Sequence, residues 1–189
     1  DQAHPYFEFA ASHVTPELGV LTAEDGAKLQ YRLTTPAGPQ PEGGFPVIVY
    51  VYGGPGVQRV KNEWPPLLLQ LLCRHGYGVL ELDNRGSGNR DKRFEGAIHR
   101  CLGRAEVADQ VKGVRYLSSL PWVNPRRIGV FGHSYGGYMT LMCLLQAPEV
   151  FKAGVAVAPV TDWHLYDTHY TERYLETPRK NPEGYAASD

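Results

Sequence analysis

The sequence alternates short apolar, β-branched runs with longer segments of helical periodicity. The apolar runs are predicted strands over residues 28–33, 45–52, 77–83, 128–131 and 151–160. The segments between them are predicted helices over residues 64–75, 106–120 and 138–146. This alternation is typical of an α/β protein with a mostly parallel sheet and helices on both faces. Because ligands of such sheets bind at the carboxyl ends of the strands, we look for function in the loops that follow them.

Apolar stripes predict which helical faces pack on the sheet. The helix over 64–75 has leucines at helical spacing and ends before Gly76, which is placed as a C-cap. Its leucines are Leu67, Leu68, Leu71 and Leu72. In the helix over 106–120, the stripe contains Val107, Val111, Val114 and Leu117. Gln110 lies off that stripe, whereas residues 138–146 and the strand over 151–160 are apolar enough to be buried.

Composition excludes several classes of function. The 189 residues fit one domain, and 19 basic against 20 acidic residues leave a net charge of −1. We therefore expect no nucleic-acid partner and no anionic membrane partner. The three cysteines have no CxxC spacing, so the sequence predicts no disulfide framework, no metal site and no cofactor. The longest apolar runs are too short to span a bilayer.

The loop after the strand over 128–131 carries the pattern G-x-S-x-G, from Gly132 to Gly136. A serine between a strand and a helix in this pattern is the context of a nucleophile elbow. We predict that Ser134 is a nucleophile on a strained turn, and that side chains at either glycine would collide with backbone. The following helix would point its positive end at an oxyanion. His133 is given a supporting role, because adjacent residues at a tight turn diverge.

The loop after the strand over 45–52 is predicted to complete an oxyanion hole. The hydroxyl of Tyr52 is one predicted donor, and the backbone N–H of Tyr135 is the other. The alternative is that Tyr52 is only an aromatic residue at a strand end.

Four ordered blocks together resemble a known family. They are Gly132-His-Ser-Tyr-Gly-Gly-Tyr138, Tyr52-Gly-Gly-Pro55, Asp83-Asn-Arg-Gly-Ser-Gly88 and Tyr170-Thr-Glu-Arg-Tyr174. From about Tyr31 onward, the chain resembles the catalytic domain of the prolyl oligopeptidase family of serine peptidases, in its dipeptidyl peptidase IV-like branch. The resemblance implies an α/β-hydrolase fold, release of N-terminal dipeptides with proline or alanine at the second position, and an acyl-enzyme on Ser134. It also implies a peptide substrate and a periplasmic or extracellular location. A homodimer of the intact enzyme is left open.

The same resemblance implies the wall of an S1 pocket. Its residues are Tyr135, Val160, Trp163, Tyr166 and Tyr170. A cup of aromatic rings with one valine suits a small apolar ring such as that of proline. The alternative is that Trp163, Tyr166 and Tyr170, spaced i, i+3, i+7, form a helical core stripe. Asp83, Glu106 and Asp109 are given structural roles, in a turn held by Arg85 and at a helix start.

The sequence departs from the family in three ways. His133 stands where this branch usually has tryptophan, and no paired glutamates are present to hold a substrate amine. In this fold the acid and the histidine of the triad follow the serine. The later histidines, His164 and His169, lie in or beside the predicted pocket wall, although a compact pair of Asp162 with His169 is an alternative. We expect residues 1–189 to be the N-terminal part of an α/β-hydrolase domain that is truncated before its last strands. The propeller domain and the segment that carries the acid and histidine of the triad would be absent. We therefore expect the 189 residues alone to be inactive.

Two other functions remain open at this point. One is an esterase or other acyl hydrolase of the same fold. The other is a non-catalytic α/β domain that serves binding.

Overall fold

A six-stranded sheet organises residues 2–189, which the computed structural model describes. The strands are β1 (Glu17–Thr22), β2 (Lys28–Thr34), β3 (Phe45–Tyr50), β4 (Gly78–Asp83), β5 (Val123–His133) and β6 (Ala153–Val157). Their spatial order is β1-β2-β4-β3-β5-β6. β2 pairs antiparallel with β1 and β4, and the other three pairings are parallel. The prediction of a mostly parallel sheet is confirmed, with β1 added at one edge.

Seven helices accompany the sheet in the described residues. They are α1 (Phe7–Ala10), α2 (Leu67–Arg74), α3 (Lys92–Glu95), α4 (Arg104–Ser118), α5 (Tyr135–Gln146), α6 (Thr168–Leu175) and α7 (Pro182–Ser188). In this part of the chain, none of them has the length and apolarity needed to cross a membrane. Gly76 follows α2 with φ +80°, which confirms its predicted place at the helix end.

Helices cover both faces of the sheet, as predicted. Successive side chains of a strand point to opposite faces. On β3, Val47 and Val49 belong to a large core that also contains buried residues of α4 and α5. The intervening Tyr50 packs on the opposite face, in a smaller core with Leu69 and Cys73 of α2.

The predicted packing face of α2 is wrong. Leu67, Leu68 and Leu71 are 50%, 41% and 50% exposed, and the buried side chains are Leu69, Gln70 and Cys73. Gln70 is accommodated because its side-chain amide exchanges two hydrogen bonds of 2.9 Å with the backbone of Val14. Leu72 is partly buried and packs on the smaller core, so three of the four leucines of the stripe face outward.

Two further burial predictions are also wrong. Gln110 is fully buried, because its amide donates to the carbonyl of Leu82 at 3.2 Å and to Asn84 Oδ1 at 2.8 Å. Along the edge strand β6, Val155 is 59% exposed and Val157 is 39% exposed. β6 occupies the end of the strand order, so one of its edges has no neighbouring strand among residues 2–189.

Candidate active site

Ser134 lies on a sharp bend between β5 and α5. Its backbone has φ 59° and ψ −121°, a left-handed conformation that costs a non-glycine residue energy. Two hydrogen bonds hold the bend. The Ser134 N–H donates to the carbonyl of Val157 at 2.9 Å, and the Tyr138 N–H donates to the carbonyl of Ser134 at 3.1 Å. The side chain is half-buried and sits at the positive end of a 12-residue helix.

The glycines on either side of Ser134 are required by close backbone approach. A Cβ on Gly132 would lie 2.1 Å from the carbonyl oxygen of Gly136 and 2.6 Å from that of Val51. A Cβ on Gly136 would lie 2.3 Å from the same Val51 oxygen. The prediction that side chains here would collide with backbone is confirmed. The bend is thus packed against the end of β3.

Tyr52 lies beside the bend because the chain turns immediately after β3. Gly53 has φ +73°, and its carbonyl accepts a 3.0 Å hydrogen bond from the side chain of Asn84. Gly54 is wedged between two rings: a Cβ there would lie 2.7 Å from Tyr52 and 2.8 Å from Tyr135. The centroids of these two rings are 6.1 Å apart. The first loop therefore brings Tyr52 against the residue that follows Ser134.

The two predicted oxyanion donors are chemically suited to the task. Burial, together with the nearby phenols of Tyr166 and Tyr174, raises the pKa of Tyr52, so its hydroxyl keeps its proton at neutral pH and can donate. The N–H of Tyr135 belongs to the first turn of α5, where backbone donors have no partner within the helix. Tyr52 follows the carboxyl end of β3, and Tyr135 follows Ser134 at the carboxyl end of the neighbouring parallel strand β5.

The aromatic residues predicted to line a pocket form one cluster. Tyr135 and Trp163 are buried, whereas Tyr170 is partly buried and Tyr166 is 41% exposed. Ring centroids are 5.7 Å apart for Tyr135 and Trp163, 5.8 Å for Trp163 and Tyr166, and 5.5 Å for Tyr166 and Tyr170. Val160 packs against the same core.

The alternative of a helical core stripe is not what the structure has. Trp163 lies in a 3-10 turn over Trp163–Leu165, and Tyr166 follows it in extended conformation. Tyr170 belongs to the separate helix α6. The chain changes direction between these residues, so their rings converge from different elements into one aromatic cluster.

The charged residues at the end of β4 and in the first turns of α4 make the structural contacts that the sequence predicted. Arg85 binds Asp109 through its backbone N–H at 2.8 Å and through its guanidinium at 2.8–3.2 Å. The carboxylate of Asp83 accepts from the backbone N–H groups of Arg59 and Val60. Glu106 accepts from the N–H of Gly103 at 3.0 Å, at the start of α4. The bonds between Arg85 and Asp109 fix the turn after β4, whose Asn84 contacts Gly53.

Sequence reasoning missed one contact of Glu106. Its carboxylate also accepts a 2.8 Å hydrogen bond from the hydroxyl of Tyr135, across the boundary between α4 and α5. Glu106 is fully buried, and burial raises its pKa to about 7. The two residues are 29 positions apart, and no spacing rule connects them.

The candidate compact triad does not assemble in the described residues. Asp162 contacts His164, with Oδ1 3.2 Å from Nδ1, and Asp189 lies 3.5 Å from the same nitrogen. His169 instead contacts Arg173, at 2.9 Å. His133 is exposed at the end of β5. Asp162 and His169 thus have different partners.

Comparison with known proteins identifies relatives that are similar to this chain in sequence and in fold. A model of the prolyl oligopeptidase family matches residues 66–189. Human dipeptidyl peptidase 8 is 41% identical over 177 residues, which are 92% of this chain and 20% of that protein. The crystal structure of Porphyromonas gingivalis dipeptidyl peptidase 4 superposes with a TM-score of 0.87 at 36% identity, covering 94% of this chain and 25% of that one.

A crystal structure from Bacteroides ovatus superposes with a TM-score of 0.91 at 46% identity. It covers 98% of this chain, and the match spans 26% of the other chain. The shared fold is the α/β-hydrolase fold that the resemblance implied. The present chain spans about a fifth of the length of the human relative that it matches.

Proposed function

The chain belongs to the prolyl oligopeptidase family of serine peptidases, and from that premise we propose that it forms part of an exopeptidase that releases N-terminal dipeptides with proline or alanine at the second position. The observation that carries the proposal is the conformation of Ser134. A serine at φ 59° between a parallel strand and a helix supports this role, because a nucleophile elbow holds its serine on such a strained turn. The names of the relatives, dipeptidyl peptidase 8 and dipeptidyl peptidase 4, support the dipeptide product.

The proposed reaction begins with attack of Ser134 Oγ on the carbonyl carbon of the second substrate residue. A histidine from the rest of the protein accepts the hydroxyl proton as the bond forms. The tetrahedral oxyanion accepts hydrogen bonds from the hydroxyl of Tyr52 and the N–H of Tyr135. Collapse breaks the peptide bond, and the histidine gives its proton to the leaving amine. Water then hydrolyses the ester on Ser134 and frees the dipeptide.

The aromatic cup would select the second residue of the substrate. Its wall is formed by Tyr135, Val160, Trp163, Tyr166 and Tyr170. A pyrrolidine ring or a methyl group can pack against such a wall, whereas a long charged side chain would lose its hydration there. The preference for proline or alanine follows from this packing.

We place residues 1–189 in the N-terminal part of the α/β-hydrolase catalytic domain. The acid and histidine of the triad, and the groups that bind the substrate amine, would come from the remaining segments of the same protein. On this view the isolated 189 residues hold the nucleophile and the oxyanion hole but hydrolyse no peptide.

Two substrates and one covalent probe test the proposal on the intact protein. We expect turnover of Gly-Pro-anilide, little turnover of a short acyl ester, and covalent labelling by a fluorophosphonate. S134A should lose both labelling and turnover, whereas S119A, which alters a surface serine after α4, should keep both. Preferred turnover of the ester would indicate the esterase function instead. Absence of labelling would indicate a non-catalytic domain.

A further inference from the structure

Glu106 has an environment that a helix-capping residue does not need. Its side chain is fully buried in the first turn of α4, and one carboxylate oxygen, Oε2, has no hydrogen-bond partner among the described residues. Burial of a carboxylate is costly unless its bonds repay the lost hydration. The N–H of Gly103 is one such bond, at 3.0 Å. The hydroxyl of Tyr135 is the other, and it comes from a different helix.

Tyr135 connects Glu106 to both parts of the candidate site. Its backbone N–H is the proposed oxyanion donor, one residue from Ser134. Its ring belongs to the aromatic cup and lies 5.7 Å from that of Trp163 and 6.1 Å from that of Tyr52. Ring contacts of this kind permit sliding and tilting, whereas a hydrogen bond at the end of the ring fixes its direction. Glu106 therefore holds the ring at the end that is remote from the backbone.

Resting on the proposed function, we propose that Glu106 is a positioning residue that acts through the hydroxyl of Tyr135 to fix the S1 wall and the oxyanion N–H. A capping role alone would stabilise α4 and leave the site unaffected. The two roles differ in one respect. Positioning requires the Tyr135 hydroxyl, whereas capping of Gly103 does not.

The ionisable groups around Glu106 come from three elements. They are Tyr135, Tyr138 and Cys143 of α5, Cys101 in the segment before α4, and Asp109 of α4 itself. Burial raises the pKa of each of the two tyrosines and the two cysteines, so these four are neutral at pH 7. Asp109 is paired with Arg85. Glu106 is thus the group in this cluster whose charge changes near neutral pH, and its anionic form accepts the stronger hydrogen bond from Tyr135.

A double-mutant cycle in the intact protein tests the proposal. E106A and Y135F should each lower kcat/KM for Gly-Pro-anilide roughly 10- to 100-fold, the range for loss of a hydrogen bond to a charged group. Because both substitutions remove the same interaction, kcat/KM of the double variant should be no lower than that of the more impaired single variant. E106Q, whose amide oxygen can still accept, should recover most of the activity. S118A, on the exposed end of α4, should match the wild type.

The pH dependence supplies a second readout. The ratio of wild-type to E106Q kcat/KM should rise as the pH increases through 7, because only the wild type gains the anionic acceptor. Losses that multiply in E106A/Y135F, or a wild-type kcat/KM in E106A, would overturn the positioning role. Melting temperatures of all variants identify any loss that is due to unfolding. Failure of the proposed function is a different result, in which the wild type neither hydrolyses Gly-Pro-anilide nor is labelled by the fluorophosphonate.

Discussion

Replacement of Gly132 by alanine tests the geometry on which the candidate site depends. The added methyl would lie 2.1 Å from the carbonyl oxygen of Gly136, whereas ordinary contact begins near 3.4 Å. The backbone must therefore open by about 1.3 Å, the difference between these distances. Both contacting atoms, in Gly136 and Val51, are backbone oxygens, so no side chain can rotate away.

A shift of this size acts directly on the proposed nucleophile, Ser134. Misplacement of reacting groups by about 1 Å can lower a rate by about 10²-fold. We therefore expect G132A in the intact protein to reduce both fluorophosphonate labelling of Ser134 and Gly-Pro-anilide turnover by at least that factor. Overpacking should also destabilise the fold by about 1–3 kcal/mol. The assay is the second-order rate constant of labelling, followed with the melting temperature.

Gly96 offers the matched control. It is exposed, its φ of −79° is open to any residue, and a Cβ there would meet no atom within 4 Å. G96A should therefore label at the wild-type rate. If G132A were labelled as fast as G96A and melted at the same temperature, the close packing of the bend on β3 would not determine how fast Ser134 reacts with the probe.

Three further outcomes are expected from the structure. Y52F should lower kcat about 10²- to 10³-fold with little change in KM, because it removes one oxyanion donor; an unchanged kcat in steady-state assays would exclude that role. Because burial raises the pKa of Glu106 from 4.5 to about 7, its stabilising effect is fully present below pH 4.5 and is lost as the pH rises to 7, by about 3 kcal/mol. Urea unfolding at pH 4.5 and 7.5 should show this loss in the wild type but not in E106Q, and parallel curves would contradict it. R85A should destabilise the fold by about 3–5 kcal/mol because it leaves Asp109 buried without its cation; a denaturation midpoint within error of the wild type would count against this.

Local signals explain what the sequence could predict. The strands β3, β4 and β5 are apolar and bounded by turn residues, and the glycines around Ser134 act within a few residues of it. Each of these features is encoded by neighbours in the chain. The order of the elements and the position of the bend could therefore be predicted from periodicity and one motif.

The predictions that failed depend on contacts between distant segments. The leucine stripe of α2 predicted a helix correctly, but periodicity does not say whether an apolar face turns inward. Gln70 is buried because the backbone of Val14, 56 positions away, satisfies its amide. The bond between Glu106 and Tyr135 is of the same kind: its partners meet only after two helices have packed.

The hydrogen bond from Ser134 to Val157 has a consequence for the position of the proposed nucleophile. It ties the backbone of the proposed nucleophile to β6, next to the parallel pairing of His133 with Val157. A displacement of β6 would therefore move the backbone of Ser134 through this 2.9 Å bond and through the strand pairing that ends at His133. Whatever packs on β6 would thereby affect the geometry of the bend that carries Ser134.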